Sequence, residues 1–265
     1  MSAPALHRAV AILRLFRRDR AQMSAPEVVA ASGLPRSTVH SLLGDLVALG
    51  LLRRDGAGRF ELDAGVLTLG YEYLASSGLT NLAAPVLEAL RNETNWSTHL
   101  GVRQGRSIVY LSRFASRAAV TRNVAVGTSL PAHSTVMGRV LLSDLEPLAL
   151  RDLYADHAFG PNGIASLADL EQMLREDHAR GHVASTGFHE AGVAVVAAPV
   201  RDASLQIVAA INATATGPAS TDLSAITQAV ARAAHAISRL MGAPETLPLP
   251  AEPLVQAGAH HEKDA

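Results

Sequence analysis

Residues 34–60 read LPRSTVHSLLGDLVALGLLRRDGAGRF, and this stretch decides the fold of the front of the chain. Val39, Leu42, Leu43, Leu46 and Val47 recur at i, i+3, i+4, i+7 and i+8, the spacing that lines one side of an α-helix with apolar groups. Pro35 suits the first turn of that helix, because its missing N–H would have no intrahelical partner there. Arg36, Ser37, Thr38, His40, Ser41 and Gly44 fall outside or beside the stripe and make a small, polar outer face. Gly50 closes the helix. Leu51-Leu52-Arg53-Arg54, the turn Asp55-Gly56-Ala57-Gly58 and the alternating Arg59-Phe60-Glu61-Leu62 then predict a two-stranded hairpin.

Upstream, Leu6, Ala9, Val10, Leu13 and Phe16 recur at helical spacing, with Arg8, Arg14, Arg17 and Arg18 mostly outside the stripe. Ser24-Ala25-Pro26-Glu27 reads as a capping box that starts a second helix, which ends at Ser32-Gly33. Capping box, turn, polar-faced helix and hairpin in this order specify a winged helix-turn-helix, a module that lays one helix in the major groove of duplex DNA. Each feature alone also fits a three-helix packing module whose polar groups merely face water. The candidate DNA contacts are Arg8, Arg36, Ser37, Thr38, His40 and Ser41, with Arg53, Arg54 and Arg59 bracketing the wing turn. Guanidinium, hydroxyl and imidazole groups donate to phosphates and base edges, and arginine also enters the minor groove.

Charge agrees with that placement. Net charge is −1 over 265 residues, yet residues 1–60 hold nine Arg and four acidic residues, so the front is basic and the remainder acidic. Genome composition alone can also enrich arginine. The only lysine is Lys263, leaving planar guanidinium forks as the basic groups of the body. With 48% hydrophobic and 18% charged residues the composition is that of an ordinary soluble protein, and no apolar run approaches the length of a membrane span. Zero cysteines exclude disulfides and thiolate metal sites, and Met1 to Val10 lacks a secretory h-region, so a cytoplasmic, nucleoid-associated protein is expected.

The length suits two modest domains. Leu67, Leu69, Gly70, Tyr73 and Leu74 suggest a connecting helix, interrupted at Ser76-Ser77-Gly78, before another helix from about Leu82 to Asn92. Beyond Asn95 the texture becomes short β-branched runs, Ser107 to Phe114, Ala119 to Val126, Val193 to Val200 and Gln206 to Thr214. Helical stretches near 136–154 and 167–180 separate them, and an amphipathic helix from Thr221 to Met241 closes the fold. The expectation is an α+β protein with a DNA-binding domain at 1–64, a linker helix at 65–78, a second domain at 79–242 and a disordered tail at 243–265.

Two features of the second domain suggest ligand chemistry. Val120, Val124 and Val126 alternate with Arg122 in the same register, so an arginine falls on an apolar strand face. A buried guanidinium needs a partner. Arg122 therefore either clamps a ligand carboxylate, lies at a bulge, or pairs with a protein carboxylate such as Glu190. Asn212 and Thr214, two apart on the last strand, share a face and either bind a small polar ligand or face solvent. His133-Ser134, Ser143-Asp144 and His189-Glu190 are the pairs an enzyme reading would start from, but adjacency in sequence is not catalytic geometry. No nucleophile elbow, phosphate-cradling loop or dinucleotide fingerprint is present. His99, His133, His157, His178, His182 and His189 are scattered without ligand spacing, so neither a metal nor a cofactor is expected.

The motifs HRAVAILRLF, LPRSTVHSLLGDLVALGLLRRD, LGYEYL and AAPV resemble the IclR family of transcriptional regulators up to about Gly242. VGTSLPAHSTVMGRVLL, VYLSRF and PVRDASLQIVAAIN look closest to the PobR and PcaR branch, which governs aromatic-acid catabolism. The resemblance implies a winged helix-turn-helix joined by a helix to a GAF-like effector-binding domain with an antiparallel sheet. It also implies a homodimer or tetramer on palindromic promoter DNA, acting as repressor or activator under a small organic or aromatic acid. By the same resemblance, Leu130, Ser134, Thr135, Val136, Met137, Ser185, Val195, Asn212 and Thr214 line the effector cavity. Val136 and Met137 stand where the family often has small residues, and Ser185 where an acidic residue is frequent, which implies a different ligand. The competing function is a constitutive DNA-binding protein whose rear domain serves only assembly.

Overall fold

The computed structural model describes residues 4–117, 124–160, 164–187, 192–216 and 222–245. The chain divides into two compact units, Met1–Ser77 and Gly78–Ala265.

The first unit runs α1 (Pro4–Leu13), β1 (Gln22–Met23), α2 (Ala25–Ser32), α3 (Arg36–Ala48), β2 (Leu52–Arg54), β3 (Phe60–Leu62) and α4 (Gly65–Ser76). Its core joins Ile12 and Phe16 to Met23, Val28, Val39, Leu42, Leu43, Leu46, Leu52 and Phe60. Glu27 Oε2 accepts from the Ser24 amide at 2.6 Å and from its hydroxyl at 2.7 Å, which pins the start of α2. Those bonds hold the Glu27 carboxyl below the usual carboxylate range, the Ser24 amide contributing most. The turn into α3 passes through Gly33 at φ 66°, a left-handed backbone that suits glycine.

The structure corrects four expectations here. Pro35 sits at the N-cap of α3, one residue ahead of the first turn. Val47 is 36% exposed and does not belong to the core, because nothing in this unit covers that edge of the stripe. In α1, Leu6 and Val10 are exposed while Ile12 is fully buried. The helix ends at Leu13, so Phe16 reaches the core from the following turn and shifts the buried side of α1. The wing, finally, belongs to a three-stranded antiparallel sheet ordered β1-β3-β2, with Met23 opposite Phe60 and Leu52 opposite Leu62. At two residues, β1 is too short to show any alternation.

The second unit runs α5 (Gly78–Thr94), β4 (Ser97–Gln104), β5 (Ser107–Phe114), β6 (Ser129–Pro131), a 3-10 turn (Ala132–Ser134), α6 (Val136–Leu142), α7 (Pro147–Tyr154), α8 (Leu167–Arg180), β7 (Val183–Thr186), β8 (Val193–Arg201), β9 (Ile207–Thr216) and α9 (Ser224–Leu240). The six strands form one antiparallel sheet in the order β6-β5-β4-β9-β8-β7. Helices α5 and α9 pack together, α5 against β4 and α9 against β8, while α6 packs against β4, β8, β9 and α8. Alanines at 197, 198, 209, 210 and 213 in the central strands, and at 229, 231, 233 and 234 in α9, are buried where these layers meet. Pro199 pairs with Ala210 on β9 but lies past the end of β7, so its missing N–H breaks no ladder on that side.

An ion pair stitches α6 to α8. Arg139 donates from Nε and Nη2 to the two oxygens of Asp177, each at 2.7 Å, and both residues are buried. The two-pronged geometry offsets the desolvation of both charges. Asp144 accepts from the Ile207 amide at 3.0 Å and from Arg201 at 3.2 Å, tying the end of α6 to the β8–β9 turn.

The helical stretch expected over 136–154 is two helices, broken at Ser143–Glu146. Of the strand expected over Ala119 to Val126, residues 124–126 are not extended ladder, and 118–123 lie outside the described residues. Arg122, Val120, His189, Glu190 and the tail from residue 246 also lie outside them.

Candidate functional site

Two surfaces gather the residues singled out in the sequence. On the first unit, Arg36, Ser37, His40 and Ser41 are exposed along α3 and Thr38 is half-buried. Positions 36, 37, 40, 41 and 44 share one helix side, opposite Val39, Leu42, Leu43 and Leu46 in the core. Serine, serine and glycine at 37, 41 and 44 keep this side shallow, so a base edge can approach the helix backbone. No side chain caps the N-terminus of α3. Its first-turn amides and the positive end of the helix dipole are thus directed at whatever docks there, which favours phosphate.

The wing arginines are less free than the sequence suggests. Arg53 Nε lies 2.8 Å from Glu61, and Arg54 stacks over the Phe60 ring at 5.6 Å. Arg59 donates to the Gln22 carbonyl at 2.8 Å and lies 3.7 Å from Glu27, so it braces the sheet against α2. Exposed ion pairs of this kind contribute little and are readily exchanged for phosphate. Arg59 has the more structural setting of the three. The turn itself is set by Asp55, whose Oδ1 accepts from the Ala57 and Arg59 amides at 2.9 and 2.8 Å. Arg8 is exposed on α1.

The second surface is the side of the six-stranded sheet that faces α6. A Cβ at Gly101 would run into Met137 Sδ on α6, so Gly101 and its cross-strand partner Ala210 mark that side. Counting in twos, His99, Asn212 and Thr214 share it. Thr214 pairs with Val195, which pairs with Ser185, so four sequence-selected positions converge on one end of one sheet face. Asn212 is 5% exposed, and its Oδ1 lies 2.8 Å from His99 Nδ1. Burial lowers the His99 pKa to about 4, and it raises that of Tyr110, whose ring meets His99 edge-on at 5.5 Å, to about 12.

The remaining selected residues have structural settings. Thr135 caps α6, accepting from the Gly138 amide at 3.1 Å, and Val136 and Met137 are buried in the core between α6 and the sheet. Leu130 packs on the same core, and Ser134 Oγ donates to the Pro131 carbonyl at 3.3 Å. His133, next to that serine, instead meets Tyr154 and Phe159 edge-on and lies tilted against His157. Ser143 Oγ donates to the Val140 carbonyl while Asp144 holds Arg201, so neither described pair has the geometry of a nucleophile and its base. Among the described residues no group of three His, Cys, Asp or Glu side chains is placed to hold a metal ion, and no helix is long and apolar enough to cross a membrane.

The sequence reading has His99 only as one of several scattered histidines and does not single out Arg113. The antiparallel register sets Arg113 on β5 opposite His99 on β4, after a bulge at Leu100/Gly101. That bulge carries no mark in the sequence.

A winged helix-turn-helix with an uncapped, shallow, cationic helix start, followed by an α/β unit with a polar-ended sheet, defines a DNA-binding transcriptional regulator with a separate effector-binding domain. Comparison with known proteins gives the family. The IclR helix-turn-helix domain model matches residues 5–56, and the model described as bacterial transcriptional regulator IclR C-terminal matches residues 71–239. The chain belongs to the IclR family of bacterial transcriptional regulators.

The chain is 29% identical over 245 residues to the transcriptional regulator XynR of Escherichia coli, covering 90% of this chain and 97% of that protein. It is 28% identical over 211 residues to the Pca regulon regulatory protein of Pseudomonas putida, covering 78% and 72%. Among solved structures, an IclR homolog from Microbacterium hydrocarbonoxydans complexed with 4-hydroxybenzoate matches with a TM-score of 0.75 and 25% identity, over 90% of this chain and 99% of that one.

Proposed function

We propose that the protein is a ligand-responsive regulator of a catabolic operon that senses a small organic acid and acts in the cytoplasm as a homodimer or tetramer on a palindromic operator. The observation that carries this reading is the convergence of Ser185, Val195, Asn212 and Thr214 on one end of the α6-facing sheet surface, with Asn212 almost completely buried. A sheet that served assembly alone would gain nothing from burying an amide and an imidazole there, because each needs a partner to offset its desolvation. Support for an aromatic acid comes from the 4-hydroxybenzoate bound to the Microbacterium homolog. By the same reading, Arg36, Ser37, Thr38, His40 and Ser41 meet the major groove, and Arg8, Arg53, Arg54 and Arg59 meet the DNA backbone or minor groove.

Effector and operator are coupled by a reciprocal free energy, typically about 1–3 kcal/mol, or roughly 5- to 150-fold in affinity. The test is a thermal-shift screen of aromatic and aliphatic acids on the full chain, followed by operator titrations with and without each hit. An acid that stabilises the protein and changes operator affinity in that range supports the reading. A protein that binds its operator identically in the presence of every stabilising acid is a constitutive regulator.

A further inference from the structure

Three residues of α3 form a track along one edge of its exposed side. Arg36, His40 and Gly44 follow one another at i, i+4 and i+8, so each lies about 6 Å further along the helix axis than the last. All three are exposed. Among the described residues no hydrogen bond or ion pair holds Arg36 or His40, whereas Arg53, Arg54 and Arg59 are engaged within the wing sheet.

Gly44 sits in the middle of the helix, where glycine is less favourable than alanine. A Cβ there would meet nothing within 4 Å, so packing within the unit does not require the glycine. A bare backbone on an exposed helix edge allows close approach by another molecule.

The chemistry of the track is one-sided. From Ser24 to Leu62 the chain holds no Asn, Gln or Lys, so no side-chain amide matches the donor-and-acceptor edge of adenine. Asp45, the one carboxylate of α3, lies about 100° round the helix from Gly44 and off the track. A guanidinium fork matches the paired O6 and N7 acceptors of guanine, and an imidazole N–H donates to one of them. Bases along a strand are about 3.4 Å apart, so groups about 6 Å apart on one helix edge meet bases about two steps apart.

We propose that Arg36 and His40 read two guanines separated by one base on the same strand of each operator half-site, Gly44 giving that strand room to approach the helix. The assignment rests on the reading of α3 as the helix that enters the major groove, and it names the bases selected there.

Selection of duplexes from a randomised pool by the full chain, followed by anisotropy titrations of the enriched duplex, tests it. The enriched half-site carries G-N-G on one strand. Replacement by 7-deazaguanine, which lacks N7, weakens binding roughly tenfold at the Arg36 guanine and roughly threefold at the His40 guanine. Inosine, which keeps O6 and N7, leaves binding unchanged at both. Arg36→Ala and His40→Ala each remove the preference for guanine at one position only, and Gly44→Leu weakens binding roughly tenfold without lowering the melting temperature. A uniform loss across all duplexes in Arg36→Ala, with a shallower salt dependence, marks a phosphate contact and overturns the assignment. An enriched site without the paired guanines, or 7-deazaguanine without effect, also overturns it, and leaves α3 in the groove where Arg36→Ala still weakens binding. Unaltered binding of the enriched duplex by folded Arg36→Ala/His40→Ala overturns both this assignment and the placement of α3 in the groove.

Discussion

Helix α3 and the α6-facing side of the six-stranded sheet both concentrate polar side chains, and they do so under opposite physical regimes. On α3 the polar groups are in water, their order along the chain is their order in space, and the apolar stripe beneath them positions them. On the sheet the polar groups are buried, come from separate strands, and are positioned by register and by one another. A solvated face tolerates exchange of its members. A buried one does not, because each group removed leaves another without its hydrogen bond.

The largest expected effect tests how far burial constrains the second unit. Asp177→Ala leaves Arg139 charged and buried, and should cost about 3–5 kcal/mol of stability in urea unfolding. A loss near zero would mean that water already reaches the pair.

The next effect follows the pH dependence of His99. Its folded pKa, about 4, lies below the value of 6.5 for a free histidine, so the unfolded chain binds the extra proton. Stability therefore falls as pH drops from about 6.5 to about 4, by about 3 kcal/mol in total, and is flat in this contribution above that window. Urea midpoints for the native protein and His99→Gln should converge as pH falls through it. Parallel curves would place the imidazole in water and erase the contrast between the two surfaces.

On the solvated side, Arg36→Ala should weaken specific operator binding by about 1–3 kcal/mol without changing the melting temperature, as read by fluorescence anisotropy. Arg59→Ala should do the reverse, lowering stability more than affinity, since that guanidinium is already engaged with Gln22 and Glu27. Equal effects of the two on DNA binding would show that the wing presents Arg59 outward when bound. The smallest effect is Ser24→Ala, about 1 kcal/mol of stability from the lost cap of α2, measured by thermal melting.

The first unit was legible because its elements are local. The capping box, the stripe of α3 and the Asp55-Gly56-Ala57-Gly58 turn each state their structure within a few residues, and Val39, Leu42, Leu43 and Leu46 are buried as the period requires. The errors arose where a neighbour decides. Val47 is exposed because no element of its unit covers it, and Ile12 replaces Leu6 and Val10 in the core because Phe16 turns in after α1 has ended. In the second unit the runs at 107–114, 193–200 and 206–214 announce strands, and β4, β6 and β7 do not. Asn212 and Thr214 drew notice by their spacing. His99 read as one of several scattered histidines until register placed it against Asn212 and Arg113.

Sequence by itself determined the winged helix-turn-helix, the division into a basic front and an acidic rear, and which side of α3 meets its surroundings. These follow from period, capping and turn chemistry over short stretches. Only the tertiary structure decided which arginines are held within the wing sheet, which polar residues meet across the six-stranded sheet, and that an imidazole lies at their centre. Strand order and a single bulge set those meetings, and a hydrogen bond between residues 113 positions apart leaves no periodic trace in a linear chain.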